Sequence, residues 1–218
     1  MPGSSPGIRI FLTMTLGLFP LNLVLFPTVR IPLHIFEPRY RQLVGECLDN
    51  AGTFGINLVE HSTLHPVGCS ARVVEVLKRY EDGRLDVVVE GIDRYKVADV
   101  MPDERAYLLA DVEPVEDTAE PVDADLRLKA LAMYNDVIDL VYGADGPKVD
   151  LGDAAVSAWT IAPKCGLDTH QKQTLLECVT ENGRLELIVD HLTEILPTVR
   201  RAELVQKIIA SDGYFPPA

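Results

Sequence analysis

Four prolines between residues 20 and 38, at positions 20, 27, 32 and 38, constrain this chain more than any other feature. Each lacks an amide donor and holds φ near an extended value, so the runs between them are limited to short strands or turns. The segment FPLNLVLFPTVRIPLHIFEPRY, residues 19–40, therefore predicts strands at 23–26 and 31–36. Glu37-Pro38 predicts a helix start, because proline suits the first helical turn. Tyr40, Leu43, Val44, Cys47 and Leu48 follow at helical spacing.

The same reading extends along the chain. A length of 218 residues with 47% hydrophobic composition suits one sizeable core or two small ones. From residue 18 to about 115, β-branched runs separated by Gly, Pro and Asp predict strands at 54–60, 71–80, 85–91, 95–100 and 107–112. Asp82-Gly83 marks a hairpin turn. Several strands with one inserted helix imply a curled, partly closed antiparallel sheet that hides its edges. Residues 113–121 turn acidic and proline-rich, as a solvated linker does.

Beyond the linker the period becomes helical. Leu126, Ala130, Met133, Tyr134, Val137, Ile138 and Val141 define a helix ending near Gly143. Asp150 is expected to cap a second with Ala155, Ala158, Trp159 and Ala162, and Asp168 with Gln171 forms a capping box for a third carrying Leu175 and Leu176. Thr180 caps a fourth with Leu185, Ile188, Leu192 and Ile195, which Pro197 is expected to kink or break before residues 199–209.

The opening segment, with its FPL, VLFP and IPLHIFEPRY blocks, resembles the start of the N-terminal domain of Lon-type ATP-dependent proteases. The similarity continues through Phe54-Gly55-Ile56, Val67-Gly68, Asp82-Gly83-Arg84, Gly91 to Arg94-Tyr95, residues 173–177 and Arg184-Leu185. It implies a PUA-like antiparallel β pseudobarrel with one inserted helix, followed by an α-helical bundle, an α+β fold. The expected divisions are a flexible leader at 1–15, a β subdomain at 16–118 and a helical subdomain at 119–218. Met14 is the expected true start, and the final SDGYFPPA is expected to fray.

Charge and cysteine usage exclude several classes. A net charge of −13 without a basic stretch disfavours nucleic acid and anionic membranes. The apolar stretch 8–26 is broken by Pro20 and Asn22 and lacks the flanks of a signal or membrane segment, so a soluble protein is expected. Cys47, Cys69, Cys165 and Cys178 form no CxxC pair or dense framework, which fits buried free thiols in a reducing cytoplasm.

Lon catalysis requires a phosphate-cradling loop and a Ser-Lys peptidase pair. The nearest loop, residues 143–148, has the wrong spacing, and Ser70 lies in no nucleophile elbow, so no catalysis is expected. His61, His65 and Cys69 are spaced by four, as metal ligands on a helix would be, but Pro66 and Gly68 interrupt any helix there; no metal or cofactor is expected. Trp159 reads as a core anchor.

The resemblance therefore implies a non-catalytic module that binds unfolded or tagged protein segments, alone or as an adaptor to a separate protease in protein quality control. The peptide-contacting residues are expected among Phe26, His34, Phe36, Glu37, Arg39 and Tyr40. For Glu37 and Arg39 a role in fixing the strand-to-helix corner is favoured over contact. The alternative is a small-molecule binder or enzyme reusing the fold, with His34, Glu37 or His61 near a pocket.

Overall fold

The structure is a computed structural model that describes residues 14–101 and 105–210. The chain is α+β and divides into two units, Met1–Glu116 and Asp117–Ala218. The expected leader up to residue 13 and the C-terminal 211–218 lie outside the described residues, whereas Met14 and Thr15 already belong to the sheet.

In the first unit the elements run β1 (Met14–Leu21), β2 (Arg30–Ile35), α1 (Pro38–Asp49), β3 (Phe54–Glu60), β4 (Thr63–Arg79), β5 (Leu85–Met101) and β6 (Leu108–Pro114). The strand order is β2-β5-β4-β3-β1-β6, and β5 also pairs with β6. Five strands thus close on themselves, all antiparallel except β1 with β3. Strand β2 lies outside this closure, paired only with the N-terminal part of β5, from Arg30↔Glu90 to Ile35↔Leu85.

Two sequence expectations change here. Residues 23–26 form no strand. Pro27 cannot donate to a ladder, and the neighbouring backbone is satisfied singly: Thr28 N donates to Gly91 O at 2.8 Å, Gly91 N to Val29 O at 3.0 Å and Val29 N to Phe26 O at 3.3 Å. Residues 95–100 are no separate strand either. They continue β5, which crosses a register shift between Ala71↔Gly91 and Cys69↔Arg94 instead of reversing.

Helix α1 begins at Pro38, as expected, and seats Tyr40, Leu43 and Val44 in a core with Phe19, Leu25, Ile35, Phe54, Ile56, Val87 and Val89. Phe19 and Tyr40 stack with ring centroids 4.0 Å apart. A smaller cluster joins Leu16, Leu18, Tyr95, Ala110 and Val112. The buried Tyr95 hydroxyl donates to Asn57 Oδ1, and Asn57 Nδ2 donates to the His65 carbonyl at 3.0 Å. A Cβ at Gly55 would lie 2.1 Å from that hydroxyl and one at Gly68 2.7 Å, so both glycines are required by the polar contact they surround.

The second unit contains α2 (Ala124–Tyr142), α3 (Ala158–Ile161) with a 3₁₀ turn at Ala162–Lys164, α4 (Thr169–Glu177) and α5 (Glu181–Ala210). Asp123 caps α2 by accepting from the amides of Asp125 and Leu126, and Asp168 and Gln171 form the expected capping box of α4. Helix α2 packs on α5, burying Ala130, Leu131, Tyr134 and Ile138 beside Leu185, Ile188 and Leu192. The helix expected after Asp150 shrinks to four residues capped by Ser157, because Asp150 and Asp153 accept from nearby amides and hold turns instead. Pro197 does not end α5; it is exposed, so water can reach the carbonyl it leaves unpaired.

Arg184 organises this unit. Its side chain is only 2% exposed, yet its guanidinium donates to Asp117 (2.8 and 2.5 Å), Glu181 (3.1 and 2.9 Å) and the Cys178 carbonyl (3.0 Å), and stacks 4.3 Å from the Trp159 ring. Glu181 in turn accepts from the first amide of α3 at 2.7 Å. Burial acts to lower the Arg184 pKa, but its hydrogen bonds to Asp117 and Glu181 outweigh this and raise it.

Candidate functional site

The alternation of β2 sends Ile31, Leu33 and Ile35 inward and Arg30, Pro32 and His34 outward. Its register on β5, and that of β5 on β4, sets these outward residues in rows. In one row Glu90 pairs with Arg72 at 2.7 Å and Arg30 at 3.2 Å. In another, His34 Nδ1 lies 2.5 Å from Asp86 Oδ1, while the Tyr80 hydroxyl donates to Asp86 Oδ2 at 2.8 Å. Pro32 opposite Val88 forms an apolar row between them.

Aromatic contacts extend the His34 row. Its ring stacks on Phe36 (centroids 5.9 Å, interplanar angle 20°) and meets Tyr80 edge-on (5.9 Å, 90°). Lys78 Nζ and the Arg84 guanidinium lie 4.4 and 4.8 Å from the Tyr80 ring centre. Hydrogen bonds from His34 and then Tyr80 hold the Asp86 carboxyl below its ordinary value, and bonds from Arg72 and Arg30 do the same for Glu90.

Two register shifts in β4, between Val73 and Glu75 and between Val76 and Lys78, leave Val74 and Leu77 without a Cα partner. Both are exposed, by 37% and 53%, and Phe36 by 59%. Pairing of β4 with β3 ends at Ala71, so among the described residues β4 from Arg72 to Arg79 has one free edge, as β2 has on the opposite side. Strands β2, β5 and β4 thus form a three-stranded arm with apolar side chains outward and backbone groups available at both edges.

The six expected contact residues divide. His34, Phe36, Glu37 and Arg39 lie together at the surface where β2 passes into α1. Phe26 and Tyr40 are in the core at 2% and 5% exposure and contribute packing, not contact. Glu37 precedes α1 without a side-chain capping bond and instead accepts from Arg39 at 2.8 Å, whose guanidinium covers the Tyr40 ring at 4.5 Å. Their corner-fixing role is therefore built from this pair. Val74 and Leu77 escape the sequence pattern because bulges shift the β4 register, and Tyr80 and Asp86 because they meet His34 only through the pairing of β2 with β5.

His61 is in the turn between β3 and β4, whereas His34 lies in the row of Lys78 at the far end of the 17-residue β4, so the histidines of the enzyme alternative are not brought together. His61, His65 and Cys69 occupy a hairpin rather than one helical face. Among the described residues no three His, Cys, Asp or Glu side chains are placed to hold a metal ion. Ser70 exchanges hydrogen bonds with the Asp93 backbone at 3.1 Å. Burial pushes the Cys47 thiol up to about 11 and those of Cys69 and Cys165 to about 12, far from a reactive thiolate. No described helix is long and apolar enough to cross a membrane.

A model of the family described as "ATP-dependent protease La (LON) substrate-binding domain" matches residues 15–194. Lon protease 1 of Hydrogenovibrio crunogenus is 27% identical over 192 residues, covering 80% of this chain and 23% of its own length. Lon protease of Lawsonia intracellularis is also 27% identical, over 79% of this chain and 22% of its own length. The chain thus spans about a quarter of these curated relatives. A crystal structure of a Lon N-terminal domain protein from Xanthomonas campestris aligns with TM-score 0.65 and 25% identity over 81% of this chain and 98% of its own. The N-terminal domain of Mycobacterium avium complex Lon protease shares the fold at TM-score 0.61 and 17% identity, over 83% and 98%.

Proposed function

Because this chain belongs to the family of Lon substrate-binding domains, we propose that it is a non-catalytic module that grips exposed apolar segments of unfolded or tagged proteins through the β2-β5-β4 arm. The observation that carries this reading is the co-location of Phe36, Val74 and Leu77, all exposed, with two unpaired strand edges. An extended segment can add to such an edge through its backbone while its apolar side chains rest on the outward face. His34, Glu37 and Arg39 border that face and select polar neighbours in the bound segment.

The closed strands make the first unit a PUA-like pseudobarrel in this reading, and the helices of the second form a bundle. The protein serves in cytoplasmic quality control as an adaptor that delivers clients to a protease. A chain that binds without cutting should give a saturable anisotropy change with fluorescently labelled, reduced and carboxymethylated α-lactalbumin and leave that probe intact. It should give no change with native α-lactalbumin. Equal binding of the folded protein, or binding of neither, would refute the proposal.

A further inference from the structure

A second feature lies wholly in the helical unit and does not depend on the arm. Between α4 and α5 a cavity of about 200 Å³ is lined by Leu167, Leu175 and Leu187 together with Gln171, Thr174, Asp190, His191 and Glu194. It is smaller than the 300–1,000 Å³ usual for cofactors and drug-sized ligands, so it suits one side chain or a small linear molecule.

Its polarity follows from a chain of hydrogen bonds. Gln171 Oε1 accepts from the Asp168 amide at 2.9 Å, which turns its Nε2 towards His191 Nδ1 at 3.1 Å. His191 Nδ1 is therefore an acceptor, and Nε2 carries the proton that it donates to the Cys165 carbonyl at 3.1 Å. The imidazole enters the wall with both nitrogens engaged. Asp190 and Glu194 lie one turn apart on α5, and neither carboxylate is in an ion pair or hydrogen bond among the described residues. The lining contains no Lys or Arg.

We propose that this cavity binds a primary ammonium on an apolar stem, as in a lysine side chain of a polypeptide or a free aliphatic diamine. Leu167, Leu175 and Leu187 take the methylenes, and Asp190 and Glu194 take the ammonium. Apolar side chains and two carboxylates in one lining favour this shape of ligand over a neutral chain, whose end would gain nothing from the carboxylates, and over an anion, which they would repel.

The test uses the full chain and three probes: Nα-acetyl-lysine methylamide, cadaverine and the neutral Nα-acetyl-norleucine methylamide. Backbone amide shifts of Gln171, Thr174, Leu187 and His191 are followed by NMR. Saturable shifts confined to this groove are expected with at least one ammonium probe, and the Asp190→Asn/Glu194→Gln double variant should weaken them by about fivefold to tenfold. Norleucine methylamide should bind more weakly by a similar factor. Both carboxylates are exposed, so the variant is expected to fold, and an unchanged Tm would establish that it does. Shifts from the lysine probe alone identify a polypeptide ligand, and shifts from cadaverine alone a free diamine. No saturable shift, equal affinity for norleucine methylamide, or undiminished binding by a folded double variant would overturn the proposal.

Discussion

Thr28 holds φ at +65° in the turn that follows Pro27. A β-branched residue in the left-handed region costs about 1–3 kcal/mol, so Thr28→Gly is expected to stabilise the protein by about 1 kcal/mol after the added chain entropy is subtracted. A higher urea midpoint at unchanged slope would show it. Gly55 presents the reverse case. Gly55→Ala drives a methyl into the Tyr95 hydroxyl and should cost about 2–3 kcal/mol, and Tyr95→Phe in the same chain should recover part of that loss through a measurable coupling energy. Strict additivity of the two losses would dissociate the glycine from the hydroxyl. Arg184→Ala leaves Glu181 half-hidden without its partner and uncovers Trp159. The half-exposed Asp117 softens the loss, which should be about 3 kcal/mol in denaturant unfolding.

The outer rows of the arm make its stability depend on acid. Asp86 and Glu90 have depressed values in the folded protein, so their contribution is complete above the ordinary values of 3.8 and 4.5 and is lost as pH falls through the lower folded values. Modestly faster amide exchange along β2 is therefore expected as pH falls below the ordinary carboxylate values, with β2–β5 pairing retained through the inward Ile31, Leu33 and Ile35, and Asp86→Asn should flatten that dependence. Retention of full protection down to about pH 2 would count against these carboxylates as anchors. Much of this architecture was legible beforehand. Proline positions and Glu37-Pro38 located β2 and α1, Asp82-Gly83 located the β4–β5 hairpin, and Asp168 with Gln171 located α4. What escaped prediction depends on context beyond the local sequence: the backbone of residues 26–29 bonds to Gly91, β5 runs through residues 91–94, and α5 continues past an exposed Pro197. The candidate site was half legible for the same reason. Phe36 and His34 stand beside the prolines in sequence, but Tyr40 and Phe26 turn inward and the bulged β4 residues come from elsewhere in the chain.

Across both units the chain carries a net charge of −13, yet the arm presents Arg30, Arg39, Arg72, Lys78 and Arg84 around its apolar stripe. These cations are paired with Glu37, Asp82, Asp86 and Glu90, so the arm is a charge-balanced face with apolar side chains on an acidic protein, whose net charge elsewhere opposes unspecific association. Client binding through that face is the central claim, and paired substitutions there test it most directly. Phe36→Ser/Leu77→Ser changes two exposed side chains and should leave the far-UV spectrum and urea midpoint unaltered, while weakening the binding of carboxymethylated α-lactalbumin about tenfold or more by anisotropy. A folded double variant that binds this client as tightly as the original chain would contradict the account.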